Sequence, residues 1–305
     1  MPAGEAPRFR RSRIRRAFDR AAPGFSGSDF LYREMARRMG ERLDMVRINP
    51  RQILDAGCGL GADRPMFRHR YPEAQWFGVD SSQALLASGR HMDLAATGFF
   101  RRLLNQGRSA KSHRVCADLN ALPIAGQCMD LIWSNAALHW LDDLPETFKE
   151  LNRVLQVGGL LMFNLFGPDT LKELHLATQL AAPGSADRTL PFTDMHDVGD
   201  MLVHGGFSDP VMDMETLTLT YADPWQALRE LKAMGSCAAS FFATNGLTSK
   251  RFWQRVVAQW PRNADGLYTL TVELVQGHAW KMAPKQHEDG RSVVNFMPRP
   301  DRPPR

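Results

Sequence analysis

The chain has 305 residues, 44% of them hydrophobic, with a formal charge of +5 and a pI near 9.2. That length can bury one good core with room for insertions, and no apolar run approaches the ~20 residues that a membrane span needs. The cysteines, Cys58, Cys116, Cys128 and Cys237, show no C-x-x-C spacing, which argues against a zinc ribbon or an iron–sulfur cluster and for a reduced, cytoplasmic setting; no metal site is expected.

Much of the positive charge lies in Arg8 to Arg20 and at the C-terminus. A basic surface attracts nucleic acid, anionic lipid or an acidic protein. No nucleic-acid motif or aromatic–basic interleaving accompanies it, so nucleic acid is set aside; a solvated arginine-rich end is the ordinary alternative. The first residues lack the apolar stretch of a secretory signal, and Glu5 and Asp19 speak against a transit peptide.

In chain order, residues 1 to about 12 read as disordered. Ile14, Ala17 and Phe18 are spaced for a short helix over Arg13–Arg20, broken by Pro23, Gly24 and Gly27. Ser28 or Asp29 caps a second helix to about Met45, with Leu31, Met35, Met39 and Leu43 on one side. This N-terminal segment, residues 1–45, either folds over a ligand or packs on the flank of a sheet. Gln52–Ala56 is a strand and Ala62–Arg70 a helix. Trp76–Val79 is the second strand, ending at Asp80, and Ser81 or Ser82 caps a helix to about His91. Residues 95–112, with Arg101, Arg102, Arg108 and Lys111, form an inserted excursion.

Arg114–Ala117 is the third strand, ending at Asp118, and Met129–Ser134 the fourth, leading into Asn135. Leu144–Leu155 is an amphipathic helix stopped by Gly158 and Gly159, and Leu160–Phe166 the fifth strand. Helices follow from Asp169 to Leu180 and from Asp194 or Asp197 to Gly205. Pro210–Tyr221 and Leu267–His278 are the sixth and seventh strands. The insertion 222–265 between them carries two helices, Trp225–Met234 and Ser249–Gln259, placed as a lid over the ligand edge. Residues 284–305, rich in proline and arginine, read as a disordered tail. This alternation predicts an α/β fold: a Rossmann-like, doubly wound seven-stranded sheet over residues 46–283 with helical lid insertions.

In such sheets the ligand sits beyond the carboxyl ends of the strands. Gly57, Gly59 and Gly61 follow the first strand, where missing Cβ atoms let backbone approach a ligand closely. Gly57, Gly59 and Ala62 also fit the G-x-G-x-x-A fingerprint of a dinucleotide, with Asp80 about 20 residues on. Asp55 decides between the ligands. A carboxylate there has no use beside a pyrophosphate, whereas S-adenosylmethionine carries no phosphate and presents an ammonium group. Asp80 is placed for ribose hydroxyls, or is a helix cap. Asp118 with Leu119 fits the adenine amino group, and Asn135 borders the methionyl part. His139 is a base or a solvent-facing helix-start residue. Trp140 shields a sulfonium through its ring face, or simply packs.

The run Asp55-Ala56-Gly57-Cys58-Gly59-Leu60-Gly61, the acid at Asp80, Asp118-Leu119 and the Gly158-Gly159 turn resemble class I S-adenosylmethionine-dependent methyltransferases over roughly residues 48–166. The resemblance implies donor binding by Asp55, Ala56, Gly57, Cys58, Gly59 and Gly61, then by Asp80, Ser81, Asp118, Leu119, Asn135 and Trp140. A narrower resemblance runs along most of the chain. Arg15 to Ala22, Asn135-Ala-Ala-Leu-His-Trp140, Phe166-Gly-Pro-Asp-Thr-Leu171, Asp194-Met-His-Asp197, Leu217-Thr-Leu-Thr-Tyr221 and Gly277-His-Ala-Trp280 resemble the malonyl-acyl carrier protein O-methyltransferases of biotin synthesis.

That resemblance implies methyl transfer to the free carboxylate of a malonyl thioester on an acyl carrier protein, with Arg20, His196 and Tyr221 as candidates to orient the acid. The sequence departs from the family at Phe25, where a tyrosine is usual, and at Tyr32, where a glutamine is common. Leu138-His-Trp140 and Phe166 to Leu171 are also shared with respiratory complex I assembly factors of the same fold, which act on a partner protein. A methyltransferase for another small carboxylic acid is the remaining alternative.

Overall fold

The computed structural model describes residues 11–96, 112–183, 192–234 and 249–283. The expected disorder of residues 1–10, the tail 284–305, most of the arginine-rich excursion and the middle of the 222–265 insertion lie outside the described residues. Arg11 and Ser12, expected to be disordered, begin a helix.

Seven strands form one sheet: β1 (Gln52–Ala56), β2 (Gln75–Asp80), β3 (Ser112–Cys116), β4 (Met129–Ser134), β5 (Leu155–Phe166), β6 (Ser208–Tyr221) and β7 (Tyr268–Trp280). Their order is β3-β2-β1-β4-β5-β7-β6. β1 to β5 run parallel, and β7 is antiparallel to both β5 and β6. Ile53, Leu54, Leu131, Ile132 and Trp133 are fully buried, as central parallel strands with helices on both faces require. β6, at the edge, alternates half-buried and exposed residues.

The helices are α1 (Arg11–Ala21), α2 (Phe30–Leu43), α3 (Arg64–Arg70), α4 (Gln83–Ala96), α5 (Leu144–Val154), α6 (Lys172–Ala181), α7 (Met195–His204), α8 (Pro224–Ala233) and α9 (Lys250–Gln259). The expected break after α1 is a 3-10 turn over Ala22–Gly27. Leu31, Met35, Met39 and Leu43 are buried as their spacing predicts, and Arg38 and Arg42 on the same helix pair with Glu215 and Asp213 of β6.

Gly158-Gly159 does not stop a helix. α5 ends at Val154 and the chain turns straight into β5, because Leu155 adopts extended backbone, is fully buried and pairs with Met129. The glycines fall inside β5, where the pairing shifts between Met129 and Leu131. Gly158, at φ +81°, donates its N–H to Lys281 O at 2.7 Å. Among the described residues no helix is long and apolar enough to cross a membrane.

Candidate active site

The carboxyl ends of β1, β2, β3 and β4 open into a cavity of about 410 Å³, roofed by α1, the 3-10 turn and the start of α2. Its floor is the glycine loop. Gly57 and Cys58 both donate backbone N–H bonds to Val79 O, at 2.8 and 3.0 Å, which ties the loop to β2. Gly57 has φ +85°, and a Cβ there would lie 2.1 Å from the Cβ of Ala137. Only glycine satisfies both the backbone angle and that approach.

Asp80 ends β2 at the cavity wall. Its Oδ2 accepts from Gly59 N at 2.9 Å and its Oδ1 from Ser82 N at 2.7 Å. Each oxygen retains acceptor capacity for a hydroxyl. Asp55 is 2% exposed and accepts from Trp76 Nε1 at 3.2 Å. Asp63, just past the loop, accepts from Trp133 Nε1 at 2.8 Å.

Burial raises all three acids. Asp55 goes well above the usual carboxylate range, with repulsion from Asp63 as the next cause. Asp63 rises to about 6. Asp80 rises less far than desolvation alone would carry it, because the Ser82 and Gly59 N–H groups favour its ionised form. Asp63 and Asp80 keep some surface on the cavity while protein crowds their other sides. A cavity floored by such acids repels a pyrophosphate and attracts a cation, which fits the ammonium and sulfonium of S-adenosylmethionine.

Asp118 accepts from Asn120 N at 3.0 Å and pairs with Arg11 of α1 at 2.6 Å. Asn135 donates from Nδ2 to Tyr32 O at 3.0 Å, and its Oδ1 accepts from Asn164 Nδ2 at 2.9 Å. Asn164 Oδ1 in turn accepts from Ala136 N at 2.7 Å, which holds Ala136 at φ +52°. Trp140 packs beneath α1, edge to face with Phe18 at 5.4 Å and beside Ile14 and Ala17. Phe25 stacks on Tyr32 at 5.7 Å.

Of the sequence-named donor residues, Asp55, Gly57, Cys58, Gly59 and Asp80 line the cavity, as do Ser81, Asp118, Leu119, Asn135 and Trp140. Ala56 and Gly61 stand behind it. Ala56 O accepts from Ser134 Oγ at 2.8 Å, and a Cβ on Gly61 would meet the Arg114 guanidinium at 2.6 Å.

The acceptor candidates do not join them. Tyr221 donates its hydroxyl to Glu230 at 2.9 Å, within the core between β6 and α8. His196 is exposed at the start of α7 and bonds Asp194 at 2.8 Å. Arg20 is exposed and outside the cavity lining. His139, considered as a base, is buried against Trp140, Phe166 and Phe192. Burial lowers its pKa to about 3, and neither ring nitrogen has a hydrogen-bond partner among the described residues. It is a neutral packing residue.

The residues missed from sequence are Asp63, Asp29, Arg11 and Arg33 of the cavity lining, and Asp19 beside it. Asp63 stands just past the glycine run, inside the helix expected over Ala62–Arg70, so its cavity role carried no separate signal. Among the described residues no group of His, Cys, Asp and Glu is arranged to hold a metal ion.

A family model described as "Methyltransferase domain" matches residues 54–163. Solved structures share the fold. The YcgJ protein of Bacillus subtilis aligns with a TM-score of 0.55 at 13% identity, over 81% of this chain and 99% of that one. Phosphoethanolamine N-methyltransferase 2 of Haemonchus contortus, solved with S-adenosyl-L-methionine, aligns at 0.54 and 17% identity over 88% of this chain and 60% of that one. Strand order, antiparallel β7 and the acid-floored glycine loop define a class I S-adenosylmethionine-dependent methyltransferase. The malonyl-[acyl-carrier protein] O-methyltransferases of Gallionella capsiferriformans and Laribacter hongkongensis are each 42% identical, over 92% and 94% of this chain and 94% and 96% of theirs. The chain belongs to the malonyl-[acyl-carrier protein] O-methyltransferase family.

Proposed function

We propose that this chain methylates the free carboxylate of a malonyl group carried as a thioester on an acyl carrier protein, the O-methylation that serves biotin synthesis. The carrying observation is the charge layout of a single cleft. Its floor holds the buried Asp55 and the half-buried Asp63 and Asp80, and its roof holds Arg15 and Arg33. Such a cleft takes a cationic donor below and an anionic acceptor above. Near-full-length identity to relatives named for this reaction supports the same reading.

S-adenosylmethionine, when bound, supplies an electrophilic methyl group on sulfur. Asp80 is assigned to the ribose hydroxyls, Asp118 and Leu119 to adenine, and Asp55 with the Gly57–Gly59 backbone to the ammonium end. Asn135 and Trp140 border the methionyl part. A carboxylate acceptor is ionised at neutral pH and needs no general base, which agrees with a buried, neutral His139. What remains for the protein is alignment and exclusion of water. Phe18, Phe25 and Trp140 form an apolar roof against solvent. Arg15 has no carboxylate partner among the described residues, and Arg33 shares Asp29. We assign acceptor orientation to these cleft arginines ahead of Arg20, His196 and Tyr221.

The test is to incubate the protein with labelled methyl donor and malonyl-carrier protein, succinyl-carrier protein and free dicarboxylic acids. Label on the malonyl thioester is expected. Label on a free diacid with none on the thioester would overturn the substrate, and donor binding without transfer to any of them would favour a binding role on a partner protein.

A further inference from the structure

We propose that Asp19 is a positioning residue: from α1 it fixes Ser82, and through Ser82 it fixes Asp80, the acid assigned to the donor ribose. The proposal rests on the methyl-donor reading of the cleft. Asp19 Oδ1 accepts from Ser82 Oγ at 2.6 Å and from Ala84 N at 3.3 Å. Ser82 is fully buried, and its hydroxyl oxygen also accepts from Leu85 N at 3.2 Å. That second bond leaves the hydroxyl proton for Asp19 and fixes the Ser82 rotamer. The backbone N–H of Ser82 then donates to Asp80 Oδ1.

The first N–H groups of a helix have no partner within it. In α4 they are supplied jointly by its own cap, Ser82, and by a carboxylate from a distant helix, whose negative charge also suits the helix N-terminus. The contact is thus more than packing between α1 and α4. It joins the roof of the cleft to the loop that holds one of the two N–H donors on Asp80. A carboxylate that binds two neighbouring hydroxyls needs both oxygens held, and Gly59 alone holds only one. At its other end α1 is pinned separately by Arg11 to Asp118, so α1 stays docked on its apolar face when Asp19 is changed. The loss then falls on donor binding rather than on the chemical step.

The test uses the full chain, with S-adenosylhomocysteine calorimetry beside steady-state kinetics. Asp19→Ala is expected to weaken S-adenosylhomocysteine about tenfold and to raise donor KM by a similar factor, with kcat changed much less. Asp19→Asn keeps an acceptor oxygen for both donors and should recover most of the affinity. Ser82→Ala should reproduce the loss, and the double variant should be no weaker than the worse single one, as expected for residues acting in series. Asp19→Asn and Ser82→Ala carry the test if Asp19→Ala does not fold. Wild-type affinity in the folded Asp19→Ala protein, losses that multiply in the double variant, or Asp19→Asn as weak as Asp19→Ala would each overturn the proposal. A wild-type chain that binds no S-adenosylhomocysteine would instead remove the methyl-donor reading beneath it.

Discussion

Donor affinity should depend on pH through the acids of the cleft floor. Burial moves Asp63 from 3.8 to about 6, so it is about nine-tenths ionised at pH 7 and about one-tenth at pH 5. A cationic ligand favours the ionised form and draws a proton off on binding. If the affinity depends on that carboxylate, it falls about tenfold between pH 7 and pH 5, or ~1.4 kcal/mol. Asp55, raised by burial and by Asp63, acts in the same direction. The same shift has a stability counterpart without ligand. The folded state holds the proton more tightly than the unfolded chain, so this contribution is full below the ordinary carboxylate pKa. It is lost as pH rises through about 6, a change of roughly 2–3 kcal/mol.

Calorimetry with S-adenosylhomocysteine between pH 5 and 7.5, in buffers of different ionisation enthalpy, measures both affinity and proton release. Asp63→Asn should flatten the dependence. An affinity that is constant across this range in protein shown to be folded, with no proton release, would refute the reasoning.

Further outcomes follow from the same geometry. Gly57→Ala meets a positive φ and the side chain of Ala137. It should cost ~2–4 kcal/mol in a denaturant titration, combining left-handed strain with overpacking, and abolish measurable donor binding. Arg13, Arg16 and Arg20 are exposed on α1 beside the cleft. Turnover of malonyl-carrier protein should therefore fall with salt more steeply than turnover of the same acyl group on an uncharged small thiol, since such steering is screened over ~8 Å at physiological salt; equal salt dependence would count against docking on this face. Tyr221→Phe should keep turnover within about twofold, because the hydroxyl is engaged by Glu230, and its loss should cost about 1–3 kcal/mol of stability. A collapse of turnover in folded protein would return Tyr221 to the acceptor site.

The sheet was legible because its signals are local. Short apolar runs such as Ile53-Leu54 and Leu131-Ile132-Trp133 end in Asp or Asn at the edge where ligands sit, and the glycine spacing marks the loop. The cavity lining proposed for the donor was legible from those strand ends, since each contributes a residue adjacent to a strand already identified. Strand starts were less clear. β5 begins at Leu155 because that residue pairs with Met129, a long-range contact that outweighs the Gly-Gly stop signal. The acceptor candidates lie outside the cleft lining for a related reason. Tyr221 and His196 belong to matching segments, but whether a side chain reaches the cleft depends on the packing of α7, α8 and β6. Asp19 and Asp63 were hidden differently: each falls within an expected helix, Arg13–Arg20 and Ala62–Arg70, and only the fold shows what its side chain meets.

The sheet order also constrains how the chain can be made. β6 has β7 as its neighbour, and β7 is the last strand among the described residues yet sits between β5 and β6. While residues 268–280 are still inside a ribosome, β5 has one open edge and β6 has no sheet to join. The donor floor, complete by Asn135, can assemble early, whereas the segments from α6 through α9 gain their common foundation only when β7 slots in. Unpaired strand edges of this kind invite wrong partners. A nascent chain arrested with residues 268–280 still inside the ribosome should hold the donor yet be captured readily by a chaperone, and emergence of the whole of β7 should release it.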